Sequence, residues 1–150
     1  MIKIICIGKM KENYLKEAIV EYKKRISKYT NIEIIELDDY NYDAKKTLLT
    51  EYKEIIKAIN ENDYNILLDI EGKELDSIAF AKKINDTLIN NPNITFIIGG
   101  SIGVLDELKN IVNYRLSFSK MTFPHQLFRV LLLEQIYRAY KINNNEEYHK

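Results

Sequence analysis

"FIIGGSIG", residues Phe96 to Gly103, is the stretch on which the reading of this chain turns. Three of the chain's five glycines fall inside these eight residues. They follow the apolar run Ile94-Thr95-Phe96-Ile97-Ile98, which reads as a buried strand. Glycines after a strand mark either a tight strand-to-helix turn needing positive φ or a place where something flat lies against bare backbone. The order G-G-x-x-G is not the dinucleotide fingerprint, and no acidic residue ends a following strand at the expected offset. No Gly-Lys-Ser/Thr follows, so a phosphate loop is excluded.

Outward from this stretch the hydrophobic period alternates between two and 3.6. Short apolar strands are predicted at 3–8, 31–37, 64–70, 94–98 and 114–119, with a turn at Glu71-Gly72-Lys73. Helices are predicted at 13–27, 44–60, 76–90, 104–113 and 124–142. The first should bury Leu15, Ala18, Ile19, Tyr22 and Ile26; the second, Leu48, Tyr52, Ile55, Ile56 and Ile59. Pro124 suits the first turn of the last helix. Strand and helix alternate five times without a linker or repeat. This predicts one domain spanning 1–150, of α/β class, with a mostly parallel sheet and helices on both faces. In such sheets ligands sit beyond the carboxyl ends of the strands. The glycines lie at one such end, "DIEGK" (69–73) at a second and "SFSKMTFP" (117–124) at a third.

Composition is that of an ordinary globular protein, 46% apolar and 29% charged. No apolar run approaches transmembrane length and the first residues are too strand-like for a signal peptide, so a cytoplasmic location is expected, with no membrane partner. Cys6, the single cysteine, lies in an apolar run and reads as a reduced core thiol. No His, Cys and Asp cluster has metal spacing, so no metal is expected. Formal net charge is +0, which removes any bulk attraction for nucleic acid, DNA included. Its distribution is uneven. Residues 9–28 carry seven basic and three acidic side chains, 29–76 five and thirteen, and 120–150 five and three. The bland reading is solvated helix faces; the functional one is a basic surface built from both ends for a phosphate backbone.

The last helix is apolar nearly all round, at Leu127, Phe128, Val130, Leu131, Leu132, Leu133 and Ile136. One face suits the sheet and another a second subunit. Glu134 and Arg138, at i,i+4, can pair. Arg129 lies about 180° from Arg138, on a face with Leu133, Ile136 and Tyr140. A cation there needs an acceptor, either structural or on a ligand. The terminal "NNNEEYHK" is polar. His149 and His125 are the only histidines.

Together "FIIGGSIG", "LSFSKMTFPHQLFRVLLLEQIYRAYKI" (116–142) and the terminal "YHK" resemble the SPOUT-class methyltransferases, and within them the RlmH type, which methylates N3 of a pseudouridine in large-subunit rRNA. The resemblance extends to the opening residues and "LDIEGK". It departs at Ile102, where the family often has Asp or Asn, at Leu75-Asp76-Ser77 after the Gly-Lys pair, and in a short connection between Leu37 and Ala44. It implies a C-terminal trefoil knot of SPOUT type, S-adenosyl-L-methionine as cofactor, a homodimer, and as substrate a 23S rRNA stem-loop at the subunit interface of the assembled ribosome. Mapped onto this chain, the cofactor would rest against Leu68, against Gly99, Gly100 and Gly103, and against Phe118, Ser119, Lys120, Met121, Thr122 and Phe123. Candidate catalytic groups are Arg129 for charge stabilisation, and Tyr148 and His149 of the tail for substrate placement or proton removal. The alternatives are a non-catalytic RNA-binding assembly factor with the same basic ends, and a SPOUT enzyme acting on tRNA, against which the terminal "YHK" speaks.

Overall fold

A computed structural model describes residues 1–150. Five strands, β1 (Ile2–Ile7), β2 (Ile32–Leu37), β3 (Tyr64–Glu74), β4 (Ile94–Ile98) and β5 (Tyr114–Ser117), alternate with α1 (Asn13–Ile26), α2 (Ala44–Ala58), α3 (Ser77–Asn90), α4 (Asp106–Ile111) and α5 (His125–Asn143). The strands form one sheet in the order β2-β1-β4-β3-β5, and every pairing is parallel. All five carboxyl ends therefore face one edge.

Helices cover both faces, and the strand alternation assigns residues to each. Ile2, Ile4 and Cys6 of β1, with Ile94, Phe96 and Ile98 of β4, join Ile26 of α1, Phe80, Ala81 and Ile84 of α3, and Leu132, Leu133 and Ile136 of α5. Ile7, Leu67 and Ile97 point the other way, onto Ile55 of α2 and Leu108 of α4. Each fully buried Leu or Ile of α5 contributes about 1.5–3 kcal/mol of transfer free energy. Cys6 is fully buried, and burial pushes its thiol up to about 11, which leaves it protonated.

Local signals set the helix starts. The Asp43 carboxylate accepts from Lys46 N (3.0 Å) and the Asp76 carboxylate from Ala79 N (2.7 Å), each an N-cap of a helix. Pro124 stands at the N-cap of α5 rather than in its first turn. The buried stripe of α2 is Thr47, Glu51 and Ile55, whereas Ile56, expected to point inward, is exposed. Strand β3 runs four residues beyond Ile70. It pairs with β5 up to Leu68 and resumes at Lys73, with residues 69–72 looped out between. The expected turn at Glu71-Gly72-Lys73 is thus a bulge inside a strand. A Cβ at Gly72 would lie 2.7 Å from the Arg115 backbone carbon and oxygen, so only glycine fits that crossing.

Candidate active site

At the carboxyl edge of the sheet a cavity of about 400 Å³ opens between the ends of β3, β4 and β5, the three ends singled out in the sequence. Leu68, Gly99, Gly100, Gly103, Phe118, Ser119, Met121, Thr122 and Phe123 line it; Lys120, in the same loop, does not. Each wall follows from local chemistry. The β3 wall is the bulge, held by Asp69: its carboxylate accepts from Glu71 N (3.0 Å) and from Arg115 Nε of β5 (2.8 Å). Burial pushes the Asp69 carboxyl up, but the Glu71 N–H and the Arg115 guanidinium outweigh it and hold it below the usual range. The β5 wall is an ordered turn, with Ser117 Oγ donating to Ser119 O (3.0 Å) and Met121 N donating to Ser119 Oγ (3.0 Å). Phe128 of α5 closes the floor, its ring centroid 4.8 Å from that of Phe118 and 5.9 Å from that of Phe123.

The glycine wall is built for the protein's own packing as much as for a ligand. Gly103 has φ +87°, a left-handed conformation that favours glycine, and its N–H donates to Gly100 O (3.1 Å). A Cβ on Gly99 would meet Val104 Cγ1 at 2.6 Å, and one on Gly100 would meet Glu51 Oε1 at 2.9 Å. The loop therefore folds back on Val104 and onto the buried Glu51 carboxylate, leaving its main chain as a cavity wall. Glu51 is 5% exposed and its Oε1 has no hydrogen-bond partner. Burial pushes its carboxyl above the usual range, and nearby Asp39 adds to this.

Of the two readings open for Arg129, the structure shows structural pairing. The residue is 1% exposed. Its Nη1 donates to Glu36 Oε2 (2.9 Å) and its Nη2 to the carbonyls of Ile7 (2.9 Å) and Gly8 (2.7 Å), at the end of β1. It lies outside the cavity lining. Tyr148 and His149 also lie outside that lining. The tail is docked on its own helix: the Tyr148 ring is 4.9 Å from that of Tyr137 and 4.7 Å from the Arg138 guanidinium, and His149 Nδ1 is 3.1 Å from Arg138 Nη1. Tyr148 is half-buried against the main core, although its polar surroundings in the sequence predicted a residue outside it.

The titratable lining residues were not among the predicted site residues: His125, at the start of α5, Lys109, in α4, and Asp69 and Glu71, in β3, all reach the cavity. A signal for His125 existed: a titratable side chain immediately after the last strand-end loop of a parallel sheet sits where ligands bind. The loop after β1 meets the start of α5: Gln126 accepts from Lys11 N (3.2 Å) and donates to Lys9 O (3.3 Å).

Comparison with known proteins agrees with this architecture. A family model described as a predicted SPOUT methyltransferase matches residues 1–149. A protein of Clostridium novyi named ribosomal RNA large subunit methyltransferase H is 53% identical over 157 aligned positions, covering 99% of each chain. One of Clostridioides difficile with the same name is 52% identical, and a putative one of Methanococcus vannielii is 50% identical, both with 99% coverage of each chain. Among solved structures, a probable methylase family protein from Haemophilus influenzae superposes with a TM-score of 0.55 at 13% identity, over 96% of this chain and 66% of that one; this speaks for the fold alone. Near-complete matches of this kind, on a parallel sheet whose strand ends enclose the cavity the family signature surrounds, place the chain in the SPOUT methyltransferase family.

Proposed function

We propose that this chain is an S-adenosyl-L-methionine-dependent methyltransferase that methylates N3 of a pseudouridine in a 23S rRNA stem-loop, on the assembled ribosome near the subunit interface. The observation that carries the reading is the cavity at the three strand ends, formed by the segments that the family resemblance assigns to the cofactor. Its residues suit that molecule. Phe118, Phe123 and Phe128 offer an aromatic floor for a flat purine, and the glycine loop offers main-chain donors and acceptors. The relatives' name, ribosomal RNA large subunit methyltransferase, supplies the substrate class.

When bound, the cofactor supplies an activated methyl group on a sulfonium. The chain's own part is to hold the acceptor nitrogen in line, and positioning of this kind can contribute ~7–11 kcal/mol of barrier lowering. The chain works as one domain and as a homodimer, with Tyr148 and His149 of one protomer placing the base at the other's cavity. Lys9, Lys11 and the α1 cations meet rRNA phosphates. The C-terminal segment is threaded as a trefoil knot; the glycine-only crossing of Gly72 over Arg115 is the kind of close backbone passage such threading requires. No helix is long and apolar enough to cross a membrane; action on ribosomes goes with a cytoplasmic location on this reading.

Mass mapping of 23S rRNA from cells with and without this protein tests the reading. The expected result is one pseudouridine that loses a methyl group in its absence; an unchanged rRNA map overturns it. Calorimetry with S-adenosyl-L-methionine should give one site per protomer.

A further inference from the structure

Resting on that reading, we propose that His125 is a catalytic residue, the base that removes the N3 proton of the acceptor nucleobase. The reaction demands such a group. N3 of a neutral pseudouridine carries a hydrogen, and nitrogen cannot form a new bond to carbon and stay neutral unless that proton leaves. As the N3–carbon bond forms and the carbon–sulfur bond of the donor breaks, the N–H electron pair stays on nitrogen and the proton goes to the imidazole. The imidazolium then releases it to water. No further oxidant, reductant or metal enters the balance.

Four titratable side chains line the cavity: Asp69, Glu71, Lys109 and His125. The Asp69 carboxylate is occupied by Arg115 and by Glu71 N, which make it a weaker base. Glu71 lies on the exposed rim, with its Oε2 3.9 Å from Arg115 Nη2. Lys109, 3.4 Å from Asp106, is an ammonium with no lone pair to offer. His125 remains. It is half-buried, and neither ring nitrogen has a hydrogen-bond partner within the chain. It begins α5, two residues after the lining Phe123, so a ligand in the cavity meets an imidazole with both nitrogens open.

Its surroundings keep it in the accepting form. Burial lowers its proton affinity first, and Arg129 on its own helix and Lys11 from the loop after β1 lower it further; Asp39, from the loop after β2, opposes them. The sum holds the ring below the ordinary histidine range, neutral at physiological pH. This also gives Arg129 a second effect at a distance: its buried charge biases the proton equilibrium of the neighbouring base.

The test is single-turnover methylation of ribosomes across pH with wild type, His125→Gln and His125→Asn, beside calorimetry with S-adenosyl-L-methionine and thermal melts. Both variants should fold and bind the cofactor within about threefold of wild type while the methylation rate falls ~10²–10³-fold. The wild-type rate should level off above the histidine's own titration, measured by NMR on the cofactor-free protein. The variants' rates should keep climbing toward alkaline pH as solvent hydroxide takes over. Added imidazole should restore part of the rate to His125→Ala. Wild-type rates in folded variants overturn the proposal, and so does a loss of cofactor affinity that matches the loss of rate. If wild type itself leaves ribosomes unmethylated, the proposed function fails instead, and the two failures are distinguishable.

Discussion

Arg129 carries a full charge at 1% exposure, and its role follows from what surrounds it. Two carbonyls at the end of β1 and the Glu36 carboxylate take its two terminal nitrogens, so the guanidinium joins α5 to β1 and β2. Glu36 is 34% exposed and water can take over its charge, but the two buried carbonyls would be left unpaired. Arg129→Met should therefore destabilise the fold by about 2–4 kcal/mol in urea titrations. Arg129→Lys should recover only part, because an ammonium cannot reproduce the planar fork. Full stability in either variant would remove the structural role. Glu51 makes the opposite case. Its folded-state carboxyl is raised by burial, so the charged form is disfavoured on folding. That cost is complete above the folded pKa and is relieved as pH falls through it toward the unfolded value. Glu51→Gln should thus raise the melting temperature at pH 7.5, with the gain shrinking toward pH 4. A gain that grows on acidification would contradict the assignment.

Helix α5 links the core to the outer surface. Its buried side is Arg129, Leu132, Leu133, Ile136, Tyr137 and Ala139. The rest is not covered within one protomer: Leu127 is 37% exposed, and Val130 and Leu131 are half-buried. These three lie on one side of the helix by its periodicity, with Glu134 and Arg138 continuing the stripe. The apolar sequence alone could not divide the helix into the part buried against its own sheet and the part left exposed, where the proposed second copy would pack. Leu132, for example, is fully buried in the protomer and says nothing about assembly. The informative change is Leu131→Glu. It should leave the melting temperature of the protomer within a few degrees while sedimentation shifts from dimer to monomer at micromolar concentration. An unchanged dimer would place the interface elsewhere.

On the scale of the whole molecule, the tail, the cavity and the α5 stripe belong to one question, whether a single chain completes a site. The tail of one protomer packs on its own α5 through Tyr137 and Arg138 and stays off the cavity lining. The proposed role of the tail at a partner's cavity therefore rests on assembly, and truncation tests it. Deleting residues 148–150 should cost about 1 kcal/mol of stability, from the lost aromatic and cation contacts. It should leave calorimetric cofactor affinity intact and abolish ribosome methylation. Undiminished methylation would confine the chemistry to the cavity of one chain.

Element order was legible in the chain alone, because periods of two and 3.6 are written locally; the N-caps at Asp43 and Asp76 became visible only in the structure. The sequence also located the cavity, because an all-parallel sheet brings its carboxyl ends to one edge and three of them carried glycine, serine and threonine. Tertiary structure alone decided the rest. The strand order β2-β1-β4-β3-β5 rests on which faces find cover, not on any one segment. Ile56 points to solvent and Glu51 inward because the orientation of α2 is set by β1 and the glycine loop, against the apolar pattern of its own residues. Arg129 is withdrawn from the cavity and His125 brought to it, although they lie one helical turn apart. Which of two neighbouring side chains meets a ligand depends on the rotation of the helix against the sheet, and that rotation is fixed by packing summed over the whole core.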